Sequence, residues 1–347
     1  MQSINDIKYS FVDLHLTKYI AYRNCKILRS LNSLFILYKI FKKIDLTQDE
    51  INNIKKIEKE IYFRLNVNID LMKIIIDSVL KFKYDYLYYN KLFLKSKLKY
   101  VFLICSYGLE ALIFAAQVNK IKVIEIQHGT MSDEHLGYNY NLRKVRYFPD
   151  MIFLFGKYWD DITNIPLDNN NKIYYGYPYL DSQLKKISKI KKNKNKIIFI
   201  SQGIIGIQLS QIAYEFALNN SEFLIDYKLH PSEINIWESI YPQLKTASKL
   251  SNFNIINDNQ INTYELLAKS EFQVGVNSTL LYEGLAMNLK TILINLPGIE
   301  YMKVLIENNY VMLANNSSDI LNCIHKSEGL KFNKKYFLRI MILQNIN

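Results

Sequence analysis

Glycine and proline are distributed very unevenly along this chain of 347 residues. No glycine occurs before Gly108, and no proline occurs before Pro149. Because both residues interrupt regular helices, the first hundred residues are predicted to be mostly helical. Thr47 and Glu50 have the spacing of a capping box at the start of one helix, and isoleucines follow at helical spacing.

Short apolar runs separated by turns begin near position 98. A strand, a helix and a second strand follow within about 30 residues, which is typical of a βαβ unit with a parallel sheet. A second series of the same kind begins after a lysine-rich stretch, and it contains five strands with helices between them. One of these helices is predicted over 234–250. The sequence thus predicts an α/β fold with two Rossmann-like domains facing a cleft.

The lysine-rich stretch is too charged to bury, and it is therefore predicted to be a linker. The predicted domains are an N-terminal acceptor-side domain over 1–184 (1–97 mostly helical, 98–184 α/β), a linker over 185–196, a nucleotide-sugar-binding domain over 197–325 and a tail over 326–347.

The chain is basic, with 44 Lys and Arg against 32 Asp and Glu and a net charge of +12. This excess favours an anionic partner: a phosphorylated substrate, a nucleic acid or an acidic membrane surface. The N-terminus has no signal-peptide pattern, no apolar run is long enough to span a bilayer, and the three cysteines are scattered. We therefore expect a cytoplasmic protein, with peripheral contact to the inner membrane face as an option.

Four groups of polar residues come directly after predicted strands. In open α/β sheets, ligands bind at the carboxyl ends of parallel strands, so these groups are candidate site residues. In the first group, His128 is a candidate general base and Gly129 permits a sharp turn. Gln127 and His135 belong to the same loop and are expected on the acceptor side. The alternative for His128 is a structural hydrogen bond to a neighbouring carbonyl.

The second group contains Lys228 and His230, which alternate along a strand and point to one side. Pro231 is expected to begin a helix, whose free amides would bind phosphate together with Ser232. The third group, Ser278 and Thr279, lies between a strand and a helix and offers the same kind of anion site.

Glu283 lies on the helix that follows Ser278, where it is a candidate acceptor for a ribose hydroxyl. Alternatively, Ser278 is simply the N-cap of that helix. The fourth group, Gln202 and Gly203, follows a strand and would allow a nucleotide or sugar to approach closely. No metal-binding spacing is convincing, so neither a metal nor another cofactor is expected.

Over residues 98–305, the segments around His128, His230 and Ser278 resemble bacterial surface-polysaccharide glycosyltransferases of the GT-B fold. The pairing of a His-Pro motif with a Ser/Thr motif is similar to sialyl- and polysialyltransferases. That resemblance implies a CMP-activated acidic sugar such as sialic acid or Kdo as donor, with His230 on the donor phosphate. It also implies that Ser278 and Thr279 contact phosphate or nucleotide, and that transfer is metal-independent and inverting.

Those sialyltransferases take their general base from an acidic-acidic-Gly motif. Here Asp133 and Glu134 are followed by His135 rather than glycine, so His128 is the first candidate for the base and the two acids come second. The expected acceptor is a surface glycan or a lipid-linked glycan.

Three alternatives remain open at the level of sequence. The first is a polyol-phosphate transferase that uses CDP-glycerol or CDP-ribitol, and the second is a UDP-HexNAc-dependent transferase or epimerase. The third is a non-catalytic nucleic-acid-binding protein. The third is disfavoured because the lysines are dispersed and the polar residues concentrate at strand ends.

Overall fold

The computed structural model of the chain describes residues 35, 38–39, 42–140, 145–258, 260–327 and 337. The chain divides into two compact units. The first comprises Met1–Lys99 and Glu110–Ile121, and the second comprises Tyr100–Leu109 and Lys122–Asn347. No helix in the described ranges combines the length and the apolar character that a bilayer span requires.

The described part of the first unit is helical, as its lack of glycine and proline predicts. The prediction for positions 1–34 falls outside the described residues. The helices are α1 (Gln48–Leu65), α2 (Leu71–Leu94) and α3 (Glu110–Val118). The capping box at the start of α1 is confirmed: Thr47 Oγ1 accepts from the Glu50 amide at 3.3 Å, and the Glu50 carboxylate accepts from the Thr47 amide at 2.8 Å.

The second unit contains two parallel sheets with flanking helices, which confirms the predicted α/β class. The first sheet has the order β1-β2-β3-β4. Its strands are β1 (Tyr100–Leu103), β2 (Lys122–Ile126), β3 (Met151–Leu154) and β4 (Lys172–Tyr174). Helix α4 (Lys157–Asp161) lies between β3 and β4 in the chain, and α5 (Pro178–Ile187) follows β4.

The second sheet has six strands in the order β10-β9-β8-β5-β6-β7. Its strands are β5 (Asn193–Ile200), β6 (Leu224–Lys228), β7 (Phe253–Ile256), β8 (Ser270–Gly275), β9 (Lys290–Ile294) and β10 (Met312–Ala314). Its helices are α6 (Gly206–Asn219), α7 (Trp237–Ile240), α8 (Pro242–Ala247), α9 (Thr263–Lys269), α10 (Thr279–Ala286), α11 (Lys303–Glu307) and α12 (Ser317–Lys326). Nearly all side chains of the central strands β5 and β8 are buried toward their carboxyl ends, as expected for a parallel sheet covered on both faces.

A continuous apolar core joins elements that follow the two sheets. Tyr158 and Trp159 of α4 are fully buried against Tyr282 of α10, and the hydroxyls of Tyr158 and Tyr282 lie 3.1 Å apart. Phe337 is also fully buried here, and its carbonyl accepts from Trp159 Nε1 at 2.8 Å. This packing fixes the loops of the first sheet relative to α10. Most of the predicted tail over 326–347 lies outside the described residues.

Two details differ from the sequence-based expectation. The lysine-rich stretch is not wholly a linker, because α5 continues to Ile187 and β5 begins at Asn193. Strand formation is possible here because the first three residues of β5 stay exposed, and the Lys196 ammonium lies 2.8 Å from the buried Asp226 carboxylate. Only 188–192 lies between the two elements.

The single helix predicted over 234–250 is wrong. Residues 231–236 form turns, and two short helices, α7 and α8, follow. Pro242 has no amide hydrogen and therefore breaks the helix at Tyr241. The helix expected to begin at Pro231 does not form either, because residues 231–236 are turns.

Candidate functional site

The carboxyl ends of β5 and β8 meet at the point where the strand order of the second sheet reverses. The chain runs from β5 to β6 and β7 on one side, and then returns to β8, β9 and β10 on the other. Loops leave such a pair of strands in opposite directions and open a crevice in which open α/β sheets bind ligands. Three of the four predicted groups lie at or next to this reversal.

Two side-chain amides connect the loops that follow β5 and β8. Gln202 Nε2 donates to Asn277 Oδ1 at 2.6 Å, and the backbone N–H of Asn277 donates to Gln202 Oε1 at 3.4 Å. Asn277 Nδ2 donates further to the Gly298 carbonyl at 2.8 Å. These bonds fix the distance between the two loops before any ligand binds.

The loop after β5 also touches the His-Pro loop after β6. A Cβ atom added at Gly203 would lie 3.3 Å from Ser232 Oγ, so the backbone approaches this hydroxyl closely. The sequence-predicted residues Gln202, Gly203, His230 and Ser232 therefore belong to one surface.

His230 is exposed, and its ring is oriented by the turn that follows it. Nδ1 lies 2.7 Å from Ser232 Oγ and accepts from the Ser232 amide at 3.2 Å. The acceptor role of Nδ1 places the proton of the neutral ring on Nε2, which is then available to donate to a phosphate oxygen.

Glu233, which the sequence analysis did not select, holds this loop in place. Its carboxylate is 1% exposed and accepts three hydrogen bonds. The donors are Ser201 Oγ at 2.9 Å, the Tyr241 hydroxyl at 2.6 Å and the His230 amide at 2.6 Å. The signal in the sequence was an acid three residues after His230, the spacing at which a side chain caps a preceding amide.

Lys228 lies at the end of β6 and is half-buried. Burial lowers the pKa of its ammonium below the usual value, and the nearby Glu233 carboxylate partly opposes this shift. Nζ lies 3.4 Å from the Leu229 carbonyl. An anion bound at this edge would favour the charged form, which is the expected electrostatic role of a phosphate-binding lysine.

Ser278 is the N-cap of α10, and its Oγ accepts from the Leu280 amide at 3.2 Å. This confirms the capping alternative without testing a contact to phosphate. A Cβ atom added at Gly129 would lie 3.7 Å from Thr279 Oγ1, so the His128 loop of the first sheet reaches the beginning of α10. The first predicted group thus lies next to the third.

His128 is exposed, but partial desolvation of its ring lowers its pKa below the usual value. A hydrogen bond with the Ile104 backbone acts in the opposite direction and raises the pKa by less. Burial also lowers the pKa of His135, whose Nδ1 accepts from the Gly137 amide at 3.1 Å. Both rings are therefore largely neutral at pH 7, the form in which a histidine accepts a proton.

Gln127 is buried and both ends of its amide bind backbone. Nε2 donates to the Gly129 carbonyl at 2.8 Å, and Oε1 accepts from the Phe155 amide at 2.8 Å. It shapes the His128 loop and does not present a free polar group to an acceptor. Asp133 and Glu134 are exposed in the same loop.

Two buried carboxylates lie near the predicted groups. Burial raises the pKa of Glu125 on β2, and this carboxylate accepts a hydrogen bond from the Tyr138 hydroxyl. Glu125 is not among the residues predicted from the sequence. Burial also raises the pKa of Glu283, which accepts from the Tyr264 and Tyr177 hydroxyls. A ribose would have to share the Glu283 carboxylate with these two tyrosines, so this contact stays a prediction.

Among the described residues, no cluster of three His, Cys, Asp or Glu side chains could hold a metal ion. The expectation of metal-independent chemistry stays a prediction.

The second unit, with its two parallel sheets and flanking helices, has a GT-B-type two-domain α/β fold. The chain is similar to a UDP-GlcNAc 2-epimerase of Methanocaldococcus jannaschii solved with UDP-GlcNAc and UDP. The two are 12% identical, with a TM-score of 0.51 over 74% of this chain and 77% of the other. A second structure of that enzyme has 12% identity and a TM-score of 0.52, over 75% and 79%.

No family model matches the sequence. No curated protein matches it at a significant level. The similarity therefore rests on the arrangement of sheets and helices.

Proposed function

We propose that this protein is a nucleotide-sugar enzyme that binds a UDP-N-acetylhexosamine and either transfers the sugar from its anomeric carbon or epimerises it. The observation that carries the proposal is the convergence of three loops at the strand-order reversal. His230 and Ser232, Gln202 and Gly203, and the beginning of α10 come together there.

The residues suit the stabilisation of a diphosphate leaving group. His230 Nε2 and the Lys228 ammonium are hydrogen-bond donors. The ammonium carries a positive charge, and the N-terminus of α10 carries a partial positive charge. In a transfer reaction, an acceptor hydroxyl would attack the anomeric carbon as the bond to the diphosphate breaks. His128 would take the hydroxyl proton.

A UDP-sugar is better supported than a CMP-activated acidic sugar. The solved structure that shares the fold was determined with UDP-GlcNAc and UDP. No comparison supports the CMP-sugar donor that the resemblance to sialyltransferases implies.

The first test is the thermal stabilisation of the protein by UDP, UDP-GlcNAc, CMP, CDP and GDP at equal concentration. UDP or UDP-GlcNAc at about 100 times its Kd should add about 2.7 kcal/mol to the free energy of unfolding. His230→Ala should weaken UDP binding about 10- to 100-fold, because it removes one hydrogen bond to a charged group. His325→Ala, on exposed α12, is the matched control.

Stabilisation by CMP alone would contradict the UDP proposal and restore the acidic-sugar donor. Stabilisation by CDP alone would favour the polyol-phosphate transferase. If no nucleotide raises the Tm, the site assignment itself is wrong.

The reaction type is separated by incubating the protein with UDP-GlcNAc and no acceptor, and following the sugar by proton NMR. We expect new signals of the C2 epimer if the protein is an epimerase. A transferase would leave the sugar unchanged until a glycan acceptor is added, and would then release UDP. Absence of both reactions with bound UDP-GlcNAc would contradict catalysis on this substrate.

A further inference from the structure

The end of the α1–α2 hairpin carries a concentration of exposed apolar side chains. We define the hairpin tip as residues 62–74, which include the last turn of α1, the connection and the first turn of α2. Its five exposed apolar residues are Tyr62 (51%), Phe63 (86%), Leu65 (68%), Val67 (46%) and Ile74 (52%). Single exposed apolar residues are normal on a protein surface, but clusters of this kind mark interaction sites.

These side chains are not needed for the packing of the hairpin itself. Ile54 of α1 and Leu80 of α2 are buried. The turn is closed by polar contacts, because the Glu58 carboxylate accepts from the Leu71 amide at 2.8 Å and the Asp70 carboxylate accepts from the Lys73 amide at 2.9 Å.

The surroundings of the tip carry a small net positive charge. Between positions 55 and 74 the chain has five Lys or Arg and three Asp or Glu residues. All three acids are engaged within the hairpin, since Glu58 and Asp70 close the turn and Glu60 pairs with Arg64 at 2.7 Å. Within the described chain, no ion pair neutralises Lys55, Lys56, Lys59 or Lys73.

Two of the cations and one of the apolar residues share one helix face. Lys56, Lys59 and Phe63 follow the i, i+3, i+7 spacing of a single helix face, with the lysines one and two turns from the aromatic ring. An apolar end flanked by unpaired lysines matches the interface of a bilayer, where acyl chains lie beneath anionic headgroups.

We propose that the hairpin tip inserts into the surface of an anionic phospholipid bilayer. Phe63 and Leu65 enter the boundary between headgroups and acyl chains, and Lys55, Lys56 and Lys59 bind the headgroup phosphates. This inference is independent of the proposed UDP-sugar site, because all its residues belong to the first unit.

The test is the co-flotation of the full chain with vesicles of phosphatidylcholine alone or with phosphatidylglycerol, at low and high salt. Binding is expected only with phosphatidylglycerol, and it should weaken with salt. The double substitution Phe63→Ser, Leu65→Ser should lower the partition coefficient of the protein between water and vesicles at least tenfold. The reason is that each Å² of apolar surface removed from water contributes roughly 25 cal/mol to binding. Each of Lys55→Gln, Lys56→Gln and Lys59→Gln should lower it about fivefold.

Matched controls remove the same chemistry elsewhere. Leu218→Ser replaces an exposed leucine of α6, and Lys245→Gln with Lys249→Gln and Lys269→Gln replaces three exposed lysines of the second unit. Both controls should keep wild-type binding, with unchanged circular dichroism and Tm for every variant.

Equal binding of the tip variants and the wild type would overturn the proposal, as would the absence of binding to phosphatidylglycerol vesicles. A wild-type dimer in light scattering that becomes monomeric in the Phe63→Ser, Leu65→Ser variant would overturn it in favour of a second copy as the occupant.

Discussion

Replacing His128 with alanine is expected to lower kcat/KM for the nucleotide sugar about 10²- to 10⁴-fold, the usual contribution of a general acid or base. The UDP-induced rise in Tm should stay unchanged, because the diphosphate contacts come from His230, Lys228 and α10. The measurement is steady-state turnover of UDP-GlcNAc beside thermal shift with UDP. His325→Ala serves again as the control.

The pH profile gives an independent check on His128. Desolvation lowers the pKa of its ring below the usual value. A general base must be neutral, so kcat/KM should stay constant above about pH 6.5 and fall about tenfold per unit only below that. A loss smaller than threefold in His128→Ala would contradict this role and direct the search to Asp133 and Glu134.

Replacing Glu233 with alanine should destabilise the protein by about 3–5 kcal/mol. The substitution leaves the Ser201 hydroxyl, the Tyr241 hydroxyl and the His230 amide without their acceptor, and each unsatisfied buried group costs about 1–3 kcal/mol. Urea unfolding followed by tryptophan fluorescence measures this change. Glu238→Ala, on exposed α7, should stay within about 0.5 kcal/mol of wild type.

Glu233→Gln separates stability from binding. Its amide oxygen can still accept from Ser201 and Tyr241, whereas its NH₂ group would face the His230 amide, donor against donor. We expect a smaller loss of stability, about 1–2 kcal/mol, together with weaker UDP binding because the His230 loop shifts. Wild-type affinity for UDP in this variant would show that Glu233 does not position His230.

Five of the six strands of the second sheet could be predicted because each has a clear apolar run with polar ends. The sixth, β10 (Met312–Ala314), was not predicted, because a run of three residues gives no recognisable pattern. Helix α6, observed over Gly206–Asn219, is one of the helices expected between these strands. The single helix predicted over 234–250 does not form, because Pro242 interrupts a pattern that is otherwise helical. The start of β5 was missed because a lysine-rich strand is recognisable only once Asp226 is known to lie beside Lys196.

For the site, the positions of the strand ends predicted which loops would meet. They did not predict which side chains would join those loops by hydrogen bonds. His230, Ser232 and Gln202 were selected for their chemistry and do lie together. Asn277 was not selected because its partner Gln202 is distant in sequence. Glu233 is three residues from His230, but its bond to Ser201 becomes visible only in the structure. The structural role of Gln127 could not be predicted either, because its side chain accepts from the Phe155 amide, which is distant in sequence.

The bond from Asn277 to the Gly298 carbonyl has a consequence for how such chains diverge. Gly298 has φ +98°, and a Cβ atom there would lie 2.2 Å from Asn277 Nδ2. A side chain at 298 would displace Asn277, and Asn277 would in turn release Gln202. In an alignment of related chains, we therefore expect Gln202, Asn277 and Gly298 to be lost or kept as a set, although 96 positions separate the first from the last.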